Sequence, residues 1–447
     1  MKQYDVVIAG AGPAGCLMAR DLARAGHSVA VLDKGPEHER GHDWWDTMDA
    51  DIFDRVNLAP PRPPERKEPF NWDIHSPEGD AGLHGAMPPS KVNVDRRLFG
   101  QRIHEAAADA GAEFFFDTAV QNPVFSGGIA AGAAARMPGG AMRDFRATIT
   151  VDATGYHGVL RARIPGAYGF NHHVKPHERV RCWREIREDT SGGTGRSILF
   201  VGKYDGAQWV SRDEPGLCDV FACTMDVPEH PSPRGLVNEL VRTEGGIGAL
   251  VRGGAAARIP IRRAFDSFVA PGFLLVGDSA CMAHPLNGSG VSSALWAARL
   301  AARTADKCLR RGRCDVAALW PYNAAYKRSK DAAFVKLYLL QQFIYHEPRA
   351  HFHVFLSRGI FDPSGFWDAE DLVDLKANLG KIPKILSLID HPRFFARLAA
   401  TFHIAMLMEN HYKRFPARYN PVAFRAWQRR TRSLLNRIPR AVMRGDV

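Results

Sequence analysis

A strand-like run, Leu274-Leu275-Val276, ends on Gly277-Asp278 and is followed by Pro285-Leu286-Asn287-Gly288-Ser289-Gly290 and an alanine-rich stretch. A carboxylate closing a buried strand needs a partner. The glycines after it suggest that something other than protein lies against this backbone. The competing reading is an Asp that caps the following helix. A second turn stands near the N-terminus, where Tyr4 to Gly35 reads as strand, Gly10-Ala11-Gly12-Pro13-Ala14-Gly15, helix, and a second strand ending at Asp33-Lys34. In that order Gly10 makes the tight turn, Gly12 lets N–H groups approach a pyrophosphate, and Gly15 brings the helix close to the strand. Asp33, with Lys34 beside it, is placed to meet a ribose hydroxyl, and the helix N-terminus adds partial positive charge. The turn specifies a dinucleotide without choosing between nicotinamide and flavin.

The elements that must carry these turns fit a chain of 447 residues with 45% hydrophobic content, enough for two or three domains with real cores. A net charge of +11, from 59 Lys and Arg against 48 Asp and Glu, favours anionic partners. No recognition module for nucleic acid is present, so none is expected. The seven cysteines are scattered without a CxxC pair and read mostly as small buried hydrophobes. No secretory segment precedes the first strand, so a cytoplasmic location is expected. No uncharged apolar run reaches membrane-spanning length.

The late Gly-Asp segment together with the early turn resembles FAD-dependent oxidoreductases of the hydroxylase-like superfamily, within it the geranylgeranyl reductase family, with flavin halogenases as relatives. The resemblance implies that Asp278, preceded by Gly277, holds the ribityl chain, and that Pro285, Gly288, Ser289 and Gly290 border the isoalloxazine ring. "VNVDRRLFGQRIHEAAADAGAEFFF" resembles the family's Arg-bearing helix, with Arg96 the better match for a phosphate or ribose contact and Arg97 its neighbour. "TVDATGYHGVLR" resembles the turn near the adenosine, where Asp152 and Gly155 support the backbone and Arg161 reads equally as part of the site or as an ordinary solvated charge. The fold implied is α/β: a discontinuous, doubly wound, Rossmann-like FAD domain (1–45, 90–164, 261–310), an inserted antiparallel substrate domain (46–89, 165–260) and a helical region (311–447). The Pro-rich part of 46–89 reads as loop, 122–155 as a small β-meander, and "SILFV" and "DVFACTMDV" as substrate-domain strands.

The match frays over the substrate. Trp209 keeps the family's wall tryptophan, but Ala207, Ser211 and Arg212 replace its flanking pattern, and Arg212 reads as an anchor for an acidic substrate or as a salt-bridged face. The family's cysteine-glycine motif is absent, and "GHDWWDTMDADIF" stands there, with Trp44 and Trp45 as wall or core. Lys91 and Lys203 are the nearest lysines to a halogenase pattern. The resemblance implies reduction of a C=C bond in an apolar or amphiphilic molecule, with flavin-hydroperoxide oxygenation and a non-redox cyclase as alternatives. NAD(P)H or an external flavin or ferredoxin reductase would supply electrons. His172-His173 with His177, and His351 with His353, lack a completing ligand set, so no metal is expected, and "HFHVF" alternates like a strand or loop. Near the C-terminus Phe424, Trp427, Leu434 and Ile438 share a helical face opposite Arg425, Arg429 and Arg432. That face suits either peripheral membrane contact or docking on the protein.

Overall fold

The structure, a computed structural model, describes residues 2–438 except 70, 77–78, 171–172, 194 and 360–386. Apolar runs rich in Val and Ile make the first sheet. Its central strand β1 (Gln3–Ala9) lies parallel between β2 (Val29–Leu32) and β11 (Met142–Asp152). Beyond them lie β8 (Glu113–Phe115) next to β2 and β18 (Phe273–Leu275) next to β11, both parallel. All four residues of β2 are buried, as a strand covered on both faces requires. Helices α1 (Pro13–Arg24) and α5 (Val291–Arg310) pack against each other, and each opens at the carboxyl end of this sheet. The meander holds: β9 (Ala119–Ser126), β10 (Ile129–Arg136) and β11 pair antiparallel, and β17 (Val269–Ala270) closes back on β18.

The second sheet runs in the order β16 (Ile247–Pro260), β12 (Arg179–Asp189), β15 (Leu217–Met225), β14 (Ala207–Glu214), β13 (Ile198–Val201), β5 (Asn71–Ser76), β6 (Gly79–Ala86). Every pairing is antiparallel except β13 with β5. Alternation gives it two faces. One takes α4 (Pro233–Thr243), whose Leu236, Val237 and Leu240 pack on Val210, Cys218, Val220 and Ala222. The other faces the first sheet across a cleft. A small third sheet, β3 (Trp45–Asp49), β7 (Lys91–Asp95) and β4 (Arg66–Lys67), sits at the cleft margin, and Asp95 caps α3 (Arg96–Ala108) through the N–H groups of Arg97 and Leu98, both at 3.0 Å.

Three expectations change. The Pro-rich segment is not all loop, since it holds α2 (Ile52–Arg55) and contributes β5 and β6 to the second sheet. Arg161 is buried rather than solvated: its guanidinium stacks over Phe265 at 4.6 Å and donates to the Phe170 carbonyl. "HFHVF" lies on a helix, α8 (Arg349–Ser357), where His351 pairs with Glu347 one turn back at 2.8 Å. Its preceding helices are α6 (Val316–Arg328) and α7 (Lys330–His346); α9 (Pro392–Lys413) and α10 (Pro421–Leu435) follow.

The apolar face of α10 turns inward. Phe424, Trp427 and Leu434 are buried, with Trp320, Tyr412 and Phe415 around the first two. Burial of each contributes roughly 1.5–3 kcal/mol, so this face packs on the protein body. Residues 439–447, the end of the basic segment, lie outside the described residues, as does His172. Among the described residues no helix is long and apolar enough to cross a membrane.

Candidate active site

One cleft of about 1340 Å³ runs between the two sheets. It exceeds the roughly 300–1000 Å³ that a single small ligand needs. On the first-sheet side it is lined by Gly10, Gly12, Pro13, Ala14, Asp33, Lys34, Gly277, Asp278, Gly288, Ser289 and Gly290. The two glycine-rich turns, far apart in the chain, therefore meet on one wall.

The geometry separates the tasks of the glycines. Gly10 has φ +104°, and a Cβ there would lie 2.3 Å from the Ala153 carbonyl oxygen. A Cβ on Gly15 would lie 2.0 Å from the Gly10 carbonyl oxygen, so the helix can approach the strand only without one. Gly12 differs: a Cβ there would meet nothing within 4 Å, because it would project into the cleft. The absent side chain at Gly12 is thus space for a ligand. The Asp33 carboxylate orders the same turn by accepting from Ala11 N at 2.7 Å and Gly35 N at 2.8 Å.

Opposite α1, the first turn of α5 is capped by Gly290 with no side-chain bond and carries no acid. Both helices therefore turn uncompensated N–H groups and positive dipole ends toward the cleft. Asp278 lies between them. It has no side-chain hydrogen bond among the described residues, and burial pushes it up to about 6 against the pull of the Arg96 charge. A half-buried acid on a cavity wall without a donor is a position that polyol hydroxyls would satisfy. Asp278 does not cap α5.

Pro285 sits behind this wall rather than on it, its carbonyl accepting from Gln341 Nε2 at 2.5 Å. Next to it His284 faces the cleft, where its Nδ1 accepts from Leu286 N and Asn287 N, both at 3.3 Å. Burial, with Lys330 and Lys91 nearby, pushes His284 down to about 3, so it is neutral. The turn at Asp152 is held as expected: its carboxylate accepts from Thr154 N, Thr154 Oγ1, Leu160 N and Arg161 N.

Arg96 and Arg97 part company. Arg96 is buried on the cleft wall and donates to Asp46 at 2.5 Å, whereas Arg97 points outward to Asp43 at 3.4 Å. Arg96 begins a chain of charges that sequence reasoning did not find. Asp46 also accepts from Arg184 at 2.8 Å, Arg184 grips Asp219 at 2.6 Å, and Asp219 accepts from Trp209 Nε1 at 3.1 Å. Burial would raise Asp46, but Arg184 and Arg96 outweigh it and hold the carboxylate low. Burial would likewise lower Arg184, but Asp219 and Asp46 keep it charged. The available signal was Asp219 in the apolar run of β15, opposite the Arg-rich β12, at the parity of the cleft face.

Trp45 and Trp209 both line the cleft, Trp209 stacked on Phe221 with ring centres 3.8 Å apart. Arg212 does not. Its side chain leaves the cleft and binds Asp189 and the carbonyls of Gly245 and Gly246, so the salt-bridged reading holds and the substrate-anchor reading falls. Lys91 is on the wall in an ion pair with Asp49 at 2.7 Å, and Lys203 lies outside it. Among the described residues no three His, Cys, Asp or Glu side chains gather as metal ligands.

The doubly wound sheet, the paired glycine turns and the partnerless Asp278 define the class: the chain is an FAD-dependent oxidoreductase. A family model described as FAD dependent oxidoreductase matches residues 5–46. The chain is 26% identical over 341 residues to digeranylgeranylglycerophospholipid reductase of Methanoculleus marisnigri, covering 74% of this chain and 83% of that protein. Its fold is similar to a geranylgeranyl bacteriochlorophyll reductase-like protein from Thermoplasma acidophilum, with TM-score 0.73 and 17% identity over 87% of this chain and 99% of that one. It is also similar to a flavin-dependent brominase, with TM-score 0.62 and 17% identity over 97% and 100% of the two chains.

Proposed function

We propose that the chain reduces a carbon–carbon double bond in an amphiphile with an isoprenoid chain. The observation that carries this reading is a row of small side chains across the second sheet. Strand register sets Ala257, Cys182, Cys223, Ala207 and Val201 side by side on the cleft face. The next row holds Arg184, Phe221, Trp209 and Leu199, so the small row is a trough beside a ridge. An apolar chain laid in it replaces water over apolar surface at about 25 cal/mol per Å². The name of the Methanoculleus relative, a reductase of a geranylgeranyl lipid, supports the same class of substrate.

In this reading FAD, when bound, supplies the hydride. The N–H groups of Gly12 and Ala14 would hold its pyrophosphate, and Asp278 would accept from its ribityl hydroxyls. Gly288 to Gly290 and the α5 N-terminus border the ring and favour negative charge there. Trp45, Trp209 and Phe221 keep water from the reacting bond, and the Asp46–Arg184–Asp219 chain fixes Trp209 by its indole N–H. Electrons arrive from NAD(P)H or from a reductase protein.

The test is to reduce the purified holoprotein without oxygen and mix it with a geranylgeranyl lipid. The expected result is flavin reoxidation on mixing, dependent on the double bonds. A flavin that stays reduced until air is admitted would overturn the reading and favour oxygen-dependent hydroxylation.

A further inference from the structure

Cys182 and Cys223 stand directly opposite each other on the antiparallel strands β12 and β15, and both face the cleft. Residues so placed have Cα atoms about 4.5–5.5 Å apart, inside the roughly 4.4–6.8 Å that a disulfide spans. The two thiols interact across the strand pair. Cys223 Sγ also accepts from Ala207 N at 3.2 Å. Their neighbours in the row, Ala257 and Ala207, are alanines, so packing alone does not call for sulfur at these two places.

We propose that Cys182 and Cys223 form a redox-active pair, closing reversibly to a disulfide across the wall of the cleft by exchange with a small-molecule disulfide. Cys223 is the attacking sulfur. It accepts from the Ala207 N–H, as a thiolate needs, and this N–H with the neighbouring Cys182 thiol lowers its pKa although burial opposes them. It is also half-buried on the cleft side, whereas Cys182 is buried. Attack forms a mixed disulfide and expels one thiolate. Cys182 then attacks Cys223 Sγ and expels the second. Two cysteine S–H bonds and one external S–S bond are exchanged for one internal S–S bond and two external thiols, which take up the two protons. The pair needs no flavin, and the inference does not depend on the substrate reading.

The molecule supplies its own controls. Cys218 lies on the same strand as Cys223 but on the opposite face, under α4. Cys308 and Cys314 form another close pair, outside the cleft at the end of α5.

The experiment equilibrates the full-length protein in buffers of rising oxidised-to-reduced glutathione ratio, traps free thiols, and maps cross-links after trypsin. The expected result is a peptide joining residues 182–184 to 213–234, lost on adding dithiothreitol, with two fewer free thiols than the seven of the reduced chain. Cys223→Ser should abolish that peptide and Cys218→Ser should leave it, both read on protein with unchanged circular dichroism. Absence of the peptide at every ratio, or its survival in Cys223→Ser, would overturn the proposal. Thiol loss mapping only to Cys308 and Cys314 would overturn it equally.

Discussion

The two walls of the cleft are built from different materials. The first-sheet wall is mostly backbone: glycines without side chains, helix N-termini, and the carboxylates of Asp33 and Asp278. The second-sheet wall is side chain: the small row through Cys182 and Cys223, the aromatic ridge at Trp209 and Phe221, and the Arg184–Asp219 pair, which Asp46 links to Arg96 at the cleft margin. A backbone wall binds what every flavoprotein of this class binds. A side-chain wall can be recast by substitution without touching the cofactor, so on the proposed reading substrate choice belongs to the second wall.

Substitutions on the two walls should therefore separate. The largest effect is expected for Gly12→Glu, whose side chain has open space to enter and so leaves the fold intact. It sets a negative charge at the pyrophosphate, and like charges cost several kcal/mol, or roughly a thousandfold in FAD affinity. Flavin retained on gel filtration is the readout. Arg184→Leu should spare the glycine wall but leave Asp219 buried without its cation, costing about 3–5 kcal/mol, read as a lower denaturation midpoint.

Ala207→Phe fills the trough. It should lower kcat/KM for a lipid substrate about 10- to 100-fold while FAD occupancy stays unchanged. Loss of flavin in this variant would break the division between the walls.

Asp278→Asn sharpens the division through pH. In the FAD-free protein the folded acid titrates at about 6, above its ordinary value of 3.8, so its contribution to stability is present below about pH 4 and lost as pH rises through 6. The FAD-free Asn variant should be more stable than the parent above pH 6, by on the order of 1–3 kcal/mol, and equal to it below pH 4. Ribityl hydroxyls favour the ionised acid, so FAD affinity of the parent should rise between pH 5 and 7 by about tenfold, with the variant flat. Fluorescence titration at the two pH values measures it. The smallest effect belongs to Arg97→Ala: its ion pair is surface-exposed, and the change should stay within about 0.5 kcal/mol, whereas Arg96→Ala strips a cleft residue.

The same contrast explains what the sequence could tell. Gly10, Gly12, Gly15 and Asp33 act within one βαβ unit, so their spacing carries their geometry, and the segment around Asp278 carries its own. Arg212 and Arg184 are both strand arginines, and no local pattern distinguishes them. Register and strand parity decide, sending Arg184 into the cleft and Arg212 to Asp189. Arg161 misled for a related reason, since a cation can be buried when an aromatic ring and a carbonyl receive it. In "HFHVF" a short alternating run matched a strand, but the segment opens a helix, and Glu347 just before it gives His351 a partner four residues back. Cys182 and Cys223, forty-one positions apart, became neighbours only through strand pairing.

The most direct measurement is the mass of the product formed when reduced holoprotein is incubated with a geranylgeranyl lipid, in parallel under nitrogen and in air. The account predicts a gain of two hydrogen atoms per reacted double bond, formed under nitrogen without need of oxygen. A product that appears only in air and carries an added oxygen atom would contradict it.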